Sequence, residues 1–120
     1  MLDIFSKLLD TLFPPHESVR HLKVETTDNF VRHFSPHRFA NCVALSDYNN
    51  PIIKSAITAN KFHDFEKAAD LLSTLVEHWL QTLPTQPTIF VPIPLSPKRL
   101  KSRGYNQVLR VLEKTKDVEI

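Results

Sequence analysis

The chain has a single glycine in 120 residues, and this scarcity excludes several common nucleotide sites. Walker and dinucleotide phosphate loops need two or three glycines, because the backbone must approach the phosphate without a Cβ in the way. Collagen-like chains and glycine-rich linkers are excluded on the same ground. The one glycine, Gly104, lies in the most basic part of the sequence.

Cysteine is also scarce, and long apolar runs and a large net charge are missing. Cys42 is the only cysteine, so these residues can form neither an internal disulfide nor a cysteine zinc ribbon. This composition fits a reducing compartment, and we expect a cytoplasmic protein. The net charge of +2 is too small to indicate a nucleic-acid partner by itself. No apolar run approaches the roughly 18 residues of a membrane span, so we expect none.

Residues 1–40 are predicted to form an N-terminal region that precedes the main domain. Apolar residues at helical spacing indicate a short amphipathic helix, with Asp3 as its cap and Pro14–Pro15 as its end. We expect this helix to pack on the domain, and a membrane-surface or partner-binding helix is the alternative. Residues 16–40 are predicted to be irregular. The apolar residues of the helix are Leu2, Phe5, Leu8, Leu9 and Leu12.

Residues 41–120 are predicted to form an α/β layer structure. Two strands are expected, over residues 41–47 and over residues 88–91, and the second is a continuous apolar run that suits a buried parallel strand. One helix follows the cap Asn50, and a second covers residues 65–83, where an apolar stripe that includes Trp79 should form much of the core. A loop over residues 96–105 then leads into a last helix.

The segment after the second strand carries most of the excess positive charge. Residues 98–120 hold seven Lys or Arg and three Asp or Glu, whereas residues 1–97 hold eight and ten. The predicted topology brings this basic loop to the carboxyl end of a sheet and to a helix N-terminus that Asn106 caps, and both places favour anions. Gly104 permits a positive φ just before the helix. The pattern predicts a phosphate or pyrophosphate site, and a solvated basic loop is the alternative.

The sequence of this segment resembles a known family signature. Residues 91–107, VPIPLSPKRLKSRGYNQ, are similar to the signature of the ComF family of phosphoribosyltransferase-like proteins, which is associated with bacterial competence for DNA uptake. The stretches LLDTLFPPH and ALSDYNNPIIKSAITANKF also resemble this family. The resemblance therefore covers the chain nearly end to end.

The resemblance implies a type I phosphoribosyltransferase fold and glycosyltransferase chemistry. Such enzymes bind 5-phosphoribosyl-1-pyrophosphate with magnesium and transfer the ribose phosphate to a nucleophile. The resemblance implies that the pyrophosphate lies at the basic loop, where Lys98, Arg99 and Arg103 are the candidate contacts by position. The other motif residues in this predicted pyrophosphate or anion site are Gly104, Tyr105, Asn106 and Gln107.

Two departures from the family pattern limit this expectation. The four-cysteine zinc module of the family has no cysteines here, and solvated histidines are expected rather than a metal site. The acidic pair and the Thr-Thr-Gly loop that hold the ribose phosphate are missing. We expect a truncated N-terminal half of the fold that has no catalytic residues and is not a competent transferase alone. The histidines that could in principle bind zinc are His16, His21, His33 and His37.

Three hypotheses therefore follow from the sequence. The first is that the chain retains a residual site for phosphoribosyl pyrophosphate or pyrophosphate, with magnesium only if the missing half is supplied. The second is an interaction protein whose basic loop binds single-stranded DNA or a partner, although aromatic residues near the loop are sparse. Finally, exposed strand edges favour self-association or a complementing chain.

Overall fold

The computed structural model describes residues 4–5, 8, 11–12 and 16–120. All the described residues before position 13 are helical, in agreement with the predicted N-terminal helix. The predicted cap Asp3, the predicted end Pro14–Pro15, and two of the apolar positions, Leu2 and Leu9, lie outside the described residues. Among the described helices, none combines the length and the apolar composition that a membrane crossing requires.

Two short helices occupy the segment that we predicted to be irregular, and that prediction was wrong. Helix α1 spans Glu17–Lys23, and helix α2 spans Thr27–Phe30 and continues into a 3₁₀ turn over Val31–His33. The side chains of His16 and Thr26 accept the backbone N–H groups that these helices leave free at their starts. Histidine is not among the preferred N-cap residues, so the sequence carried little sign of α1.

A small hairpin and two longer helices follow. Strands β1, His37–Phe39, and β2, Cys42–Ala44, pair antiparallel, so the predicted strand over residues 41–47 is confirmed in its central part. Helix α3 spans Pro51–Phe62 and begins at the predicted cap, Asn50. Helix α4 spans Glu66–Leu80, which confirms the second predicted helix. The protein is thus a mixed α and β structure, mostly helical, with a two-stranded sheet.

The C-terminal part differs from the prediction in two places. The predicted loop contains helix α5, Pro97–Arg103, which precedes helix α6, Gln107–Lys114. The predicted buried strand over residues 88–91 is instead an exposed extended segment, joined to the C-terminal residues by one parallel bridge from Ile89 to Glu119. The apolar composition of residues 88–91 predicted that the strand is buried, but no other element of the described chain covers the outer face of this segment.

The core lies between α1, α2, α3 and α4. It includes side chains from both sides of the predicted division at residue 40, and that division stays a prediction. Trp79, which we predicted to be core, is only half-buried, because α4 turns Leu71 rather than Trp79 into the centre. The buried cluster consists of Leu22, Phe30, Ile53, Ala56, Ala59, Ala68, Leu71 and Leu75.

Candidate functional site

The basic segment is presented by helix α5. Ser96 is its N-cap, because the Ser96 hydroxyl accepts the Arg99 N–H at 3.2 Å, and Pro97 occupies the first turn. Lys98, Arg99 and Lys101 are all exposed on this helix. Within the part of the chain that the structure describes, none of these three cations forms an ion pair, so their charge is open to an anionic ligand.

Gly104 makes the turn that joins α5 to α6. Its φ of +88° is left-handed, and its N–H donates to the Leu100 carbonyl at 2.7 Å, which closes α5. This conformation confirms the predicted positive φ. Asn106 then caps α6, as predicted, by accepting the N–H groups of Val108 and Leu109. The Asn106 amide also donates to the Ile93 carbonyl at 3.1 Å, so the turn is fixed to the preceding extended segment.

Tyr105 and Gln107 attach the same turn to the end of α3. The Tyr105 hydroxyl donates to the Asn60 carbonyl at 2.5 Å and accepts the Asp64 N–H at 3.2 Å. The Asn60 side-chain amide donates to the Gln107 carbonyl at 3.1 Å. Asn60 is 4% exposed, so these contacts satisfy polar groups that water barely reaches. The motif positions that we placed in an anion site thus also hold the fold together here.

Arg103 is held in place by two neighbours. Its Nη1 donates to the Gln107 Oε1 at 2.5 Å, and its guanidinium lies 5.7 Å from the centre of the Phe62 ring. Close by, Arg110 stacks on the Tyr105 ring at 3.7 Å and pairs with Asp64. Both arginines are partly buried, so their orientation is set by the protein rather than by solvent.

A cleft of about 230 Å³ lies between the end of α3 and helix α5. It brings together Arg99, Arg103 and Tyr105, three of the seven predicted site residues, and the other four do not line it. Lys61 adds a third cation that we did not predict to belong to the site. In the sequence, the only indication of a role for Lys61 was its place in the ANKF stretch that resembles the family. The remaining lining residues are Phe62, Asp64 and Ser102.

A larger groove of about 490 Å³ is lined mainly by apolar side chains of α3, α4 and α6. Lys61 is its only charged lining residue and also lines the basic cleft, so the two depressions adjoin at this lysine. A phosphate group needs cationic or N–H donors, which this groove supplies at one end only. The smaller basic cleft is therefore the better candidate for an anion.

The four histidines considered as zinc ligands have other partners. His21 Nδ1 lies 3.2 Å from the Ser55 hydroxyl, and the His16 ring stacks on His63 with 4.2 Å between ring centres. Partial desolvation of the His63 ring, together with the neighbouring His16, lowers the pKa of His63 although the residue is exposed. Within residues 4–5, 8, 11–12 and 16–120, no three His, Cys, Asp or Glu side chains are grouped so that they could hold a metal ion.

Comparison of the chain with profiles of known protein families, with characterised proteins and with solved structures finds no match. The site therefore has to be interpreted from its own geometry. That geometry is a small cationic cleft that Ser102 also lines, beside an exposed basic helix.

Proposed function

We propose that this protein is a ComF-like member of the phosphoribosyltransferase-like proteins and that it binds pyrophosphate, free or as part of phosphoribosyl pyrophosphate, at the cleft beside α5. The observation that carries the proposal is the convergence of Lys61, Arg99 and Arg103 on one cleft of about 230 Å³. An arginine guanidinium can donate hydrogen bonds to two phosphate oxygens at once, and a lysine ammonium acts as a point charge. The Ser102 hydroxyl adds a hydrogen-bonding group at the same cleft, whereas the proton of the Tyr105 hydroxyl is already donated to the Asn60 carbonyl.

The cleft fits an anion better than a metal ion held by the protein. Its one carboxylate, Asp64, is already paired with Arg110, and magnesium prefers carboxylate and other oxygen ligands. Magnesium would therefore arrive bound to the pyrophosphate rather than to these residues. The sequence contains no acidic pair with a Thr-Thr-Gly loop, so we propose binding of the pyrophosphate and assign no transfer step to these residues.

Titration with inorganic pyrophosphate tests the proposal. Amide resonances of Arg99, Arg103 and Lys61 should shift together in NMR spectra, and one dissociation constant should fit all three. Arg99→Gln removes one exposed guanidinium and should weaken binding about fivefold, as expected for about 1 kcal/mol from a solvent-screened charge. Arg20→Gln is the matched control, because it removes an exposed arginine from helix α1. At about 5 mM pyrophosphate, even a site with a millimolar dissociation constant would be largely occupied. The absence of shifts at this concentration would therefore refute the proposal.

A second candidate function is binding of single-stranded DNA, and the exposed ring of Phe62 favours it. This ring is 64% exposed and lies near two cations, with Lys61 Nζ 5.1 Å and the Arg103 guanidinium 5.7 Å from the ring centre. Non-specific proteins of this kind combine a basic surface with aromatic rings on which bases stack. The structure thus supplies an aromatic neighbour that the sequence alone did not reveal.

Fluorescence anisotropy with a labelled oligothymidylate distinguishes this second candidate. Phosphate contacts predict an affinity that falls steeply as salt rises. Phe62→Ala should weaken binding by about 1–3 kcal/mol if a base stacks on this ring. Phe39→Ala is the matched control, because the Phe39 ring is 62% exposed and lies on the hairpin. Equal affinities of the two variants would exclude stacking on Phe62.

A further inference from the structure

We propose that the extended segment over residues 88–93 is an edge strand through which two copies of this chain pair. Its side chains alternate between two environments. Ile89, Val91 and Ile93 are 65%, 84% and 76% exposed, whereas Phe90 and Pro92 are half-buried. Phe90 makes an edge-to-face contact with Trp79 at 6.5 Å. One face of the segment therefore packs on the protein, and the other presents three β-branched side chains to solvent.

The backbone of this segment is paired on one side. The Phe90 N–H donates to the Glu119 carbonyl at 2.9 Å, within the parallel bridge between Ile89 and Glu119. In a strand, the polar groups of successive residues point to opposite edges. Those of Ile89 and Val91 therefore point away from Glu119, and within the described residues neither N–H donates to a protein group. On this free edge the Ile93 carbonyl accepts the Asn106 amide at 3.1 Å, and its second lone pair can still accept another N–H.

The prolines of this segment stiffen it without blocking the free edge. Pro92 and Pro94 occupy even positions, so the N–H groups that they lack would have pointed toward the Glu119 side. A residue before proline is restricted to extended conformations, which keeps Val91 and Ile93 extended. Every residue that faces the free edge, Ile89, Val91 and Ile93, retains its N–H donor.

The charge pattern points to a second copy as the occupant. Residues 84–97 contain no charged side chain, although natural edge strands are usually protected from pairing by charges. A two-fold antiparallel pair centred on Val91 places this residue opposite itself, and Ile89 opposite Ile93 of the other copy. Such self-pairing excludes a charge, because a charged residue would meet its own copy. The uncharged, β-branched edge satisfies that requirement.

Sedimentation velocity of the full chain tests this interface. We expect a monomer–dimer equilibrium between about 5 µM and about 500 µM, the range of a weak micromolar complex. Val91→Glu and Val91→Lys should each weaken the dimer by about tenfold or more, because like charges then face each other. An equal mixture of the two variants should restore the dimer, since opposite charges then meet. Val24→Glu is the matched control, because Val24 is 85% exposed on a different surface.

The same measurements can overturn the proposal. A wild-type chain that stays monomeric throughout this range contradicts it, and so does a dimer that Val91→Glu leaves intact. A dimer that Val24→Glu weakens equally, or a mixture that fails to restore pairing, places the contact elsewhere. Restoration by mixing also shows that both variants are folded. As a direct readout, hydrogen exchange at the Ile89 and Val91 amides should slow as the protein concentration rises, because these N–H groups become hydrogen-bonded.

Discussion

Tyr105→Phe tests whether the motif tyrosine acts on the fold. The change removes only the hydroxyl, which donates to the Asn60 carbonyl and accepts the Asp64 N–H. A hydrogen bond contributes about 0.5–1.5 kcal/mol, and an unsatisfied buried partner costs about 1–3 kcal/mol. Because the Asp64 contact is exposed, we assign most of the loss to Asn60. The expected loss in free energy of unfolding is about 2 kcal/mol.

The surroundings of Asn60 explain why this loss should not be absorbed. The residue is 4% exposed, and among the described residues its Oδ1 atom has no hydrogen-bond partner. Its two other polar contacts, with Tyr105 and Gln107, therefore hold this end of α3 to the turn before α6. Loss of the Tyr105 hydroxyl leaves a second buried oxygen without a donor.

Urea unfolding followed by circular dichroism measures the effect. With a slope of about 1.5 kcal/mol per molar urea for a small domain, the midpoint should fall by about 1.3 M. Tyr48→Phe is the matched control, because Tyr48 is the other tyrosine and its ring is about half exposed. Its midpoint should stay within about 0.3 M, as for an ordinary surface substitution. Equal midpoints for the two variants would refute the structural role of Tyr105.

Three further changes test the turn and the histidine pair. Gly104→Ala should lower the free energy of unfolding in urea by about 1–2 kcal/mol, because the new Cβ meets no atom within 4 Å and only the φ of +88° is strained. Gly104→Asn should lower it less, since asparagine tolerates this backbone region. Asn106→Ala should cost about 1 kcal/mol through the lost cap of α6, and an unchanged midpoint would contradict that role. The pKa of His63 lies below its usual value through partial desolvation of its ring and the nearby His16, so the unfolded state binds more protons as the pH falls. Stability should therefore be full above about pH 6.5 and decline below it, and His63→Gln should reduce the difference in unfolding free energy between about pH 7.5 and pH 5; an undiminished difference would assign the effect to other groups.

The parts of the fold that sequence could predict are those that local chemistry decides. Asn50 before Pro51 indicated the start of α3, and Asn106 indicated the start of α6, because an asparagine side chain caps the backbone only two or three residues away. The periodic apolar stripe likewise indicated α4. Gly104 likewise indicated a positive φ, because a residue without a Cβ adopts this conformation without strain.

The errors concern contacts that sequence spacing does not encode. The run over residues 88–91 has the composition of a buried strand, but burial depends on which other elements cover it. Helix α5 is the exception, because its start, Ser96 followed by Pro97, is a local signal, but the neighbouring prolines also suit an extended loop. Lys61 was missed because it lies about forty residues from α5 in sequence, and only the tertiary fold brings it to the cleft.

The motif therefore divides into residues that shape the turn and residues that are free to meet a ligand. Gly104, Tyr105 and Asn106 are engaged in the backbone and in contacts with α3 and the extended segment. Substitutions at these positions should lower stability and anion binding together, so such a loss of binding does not identify a ligand contact. Arg99 is exposed, lines the cleft, and has no ion pair within the described part of the chain. A loss of pyrophosphate binding in Arg99→Gln with an unchanged unfolding midpoint is consequently the result that separates a binding site from a structural turn.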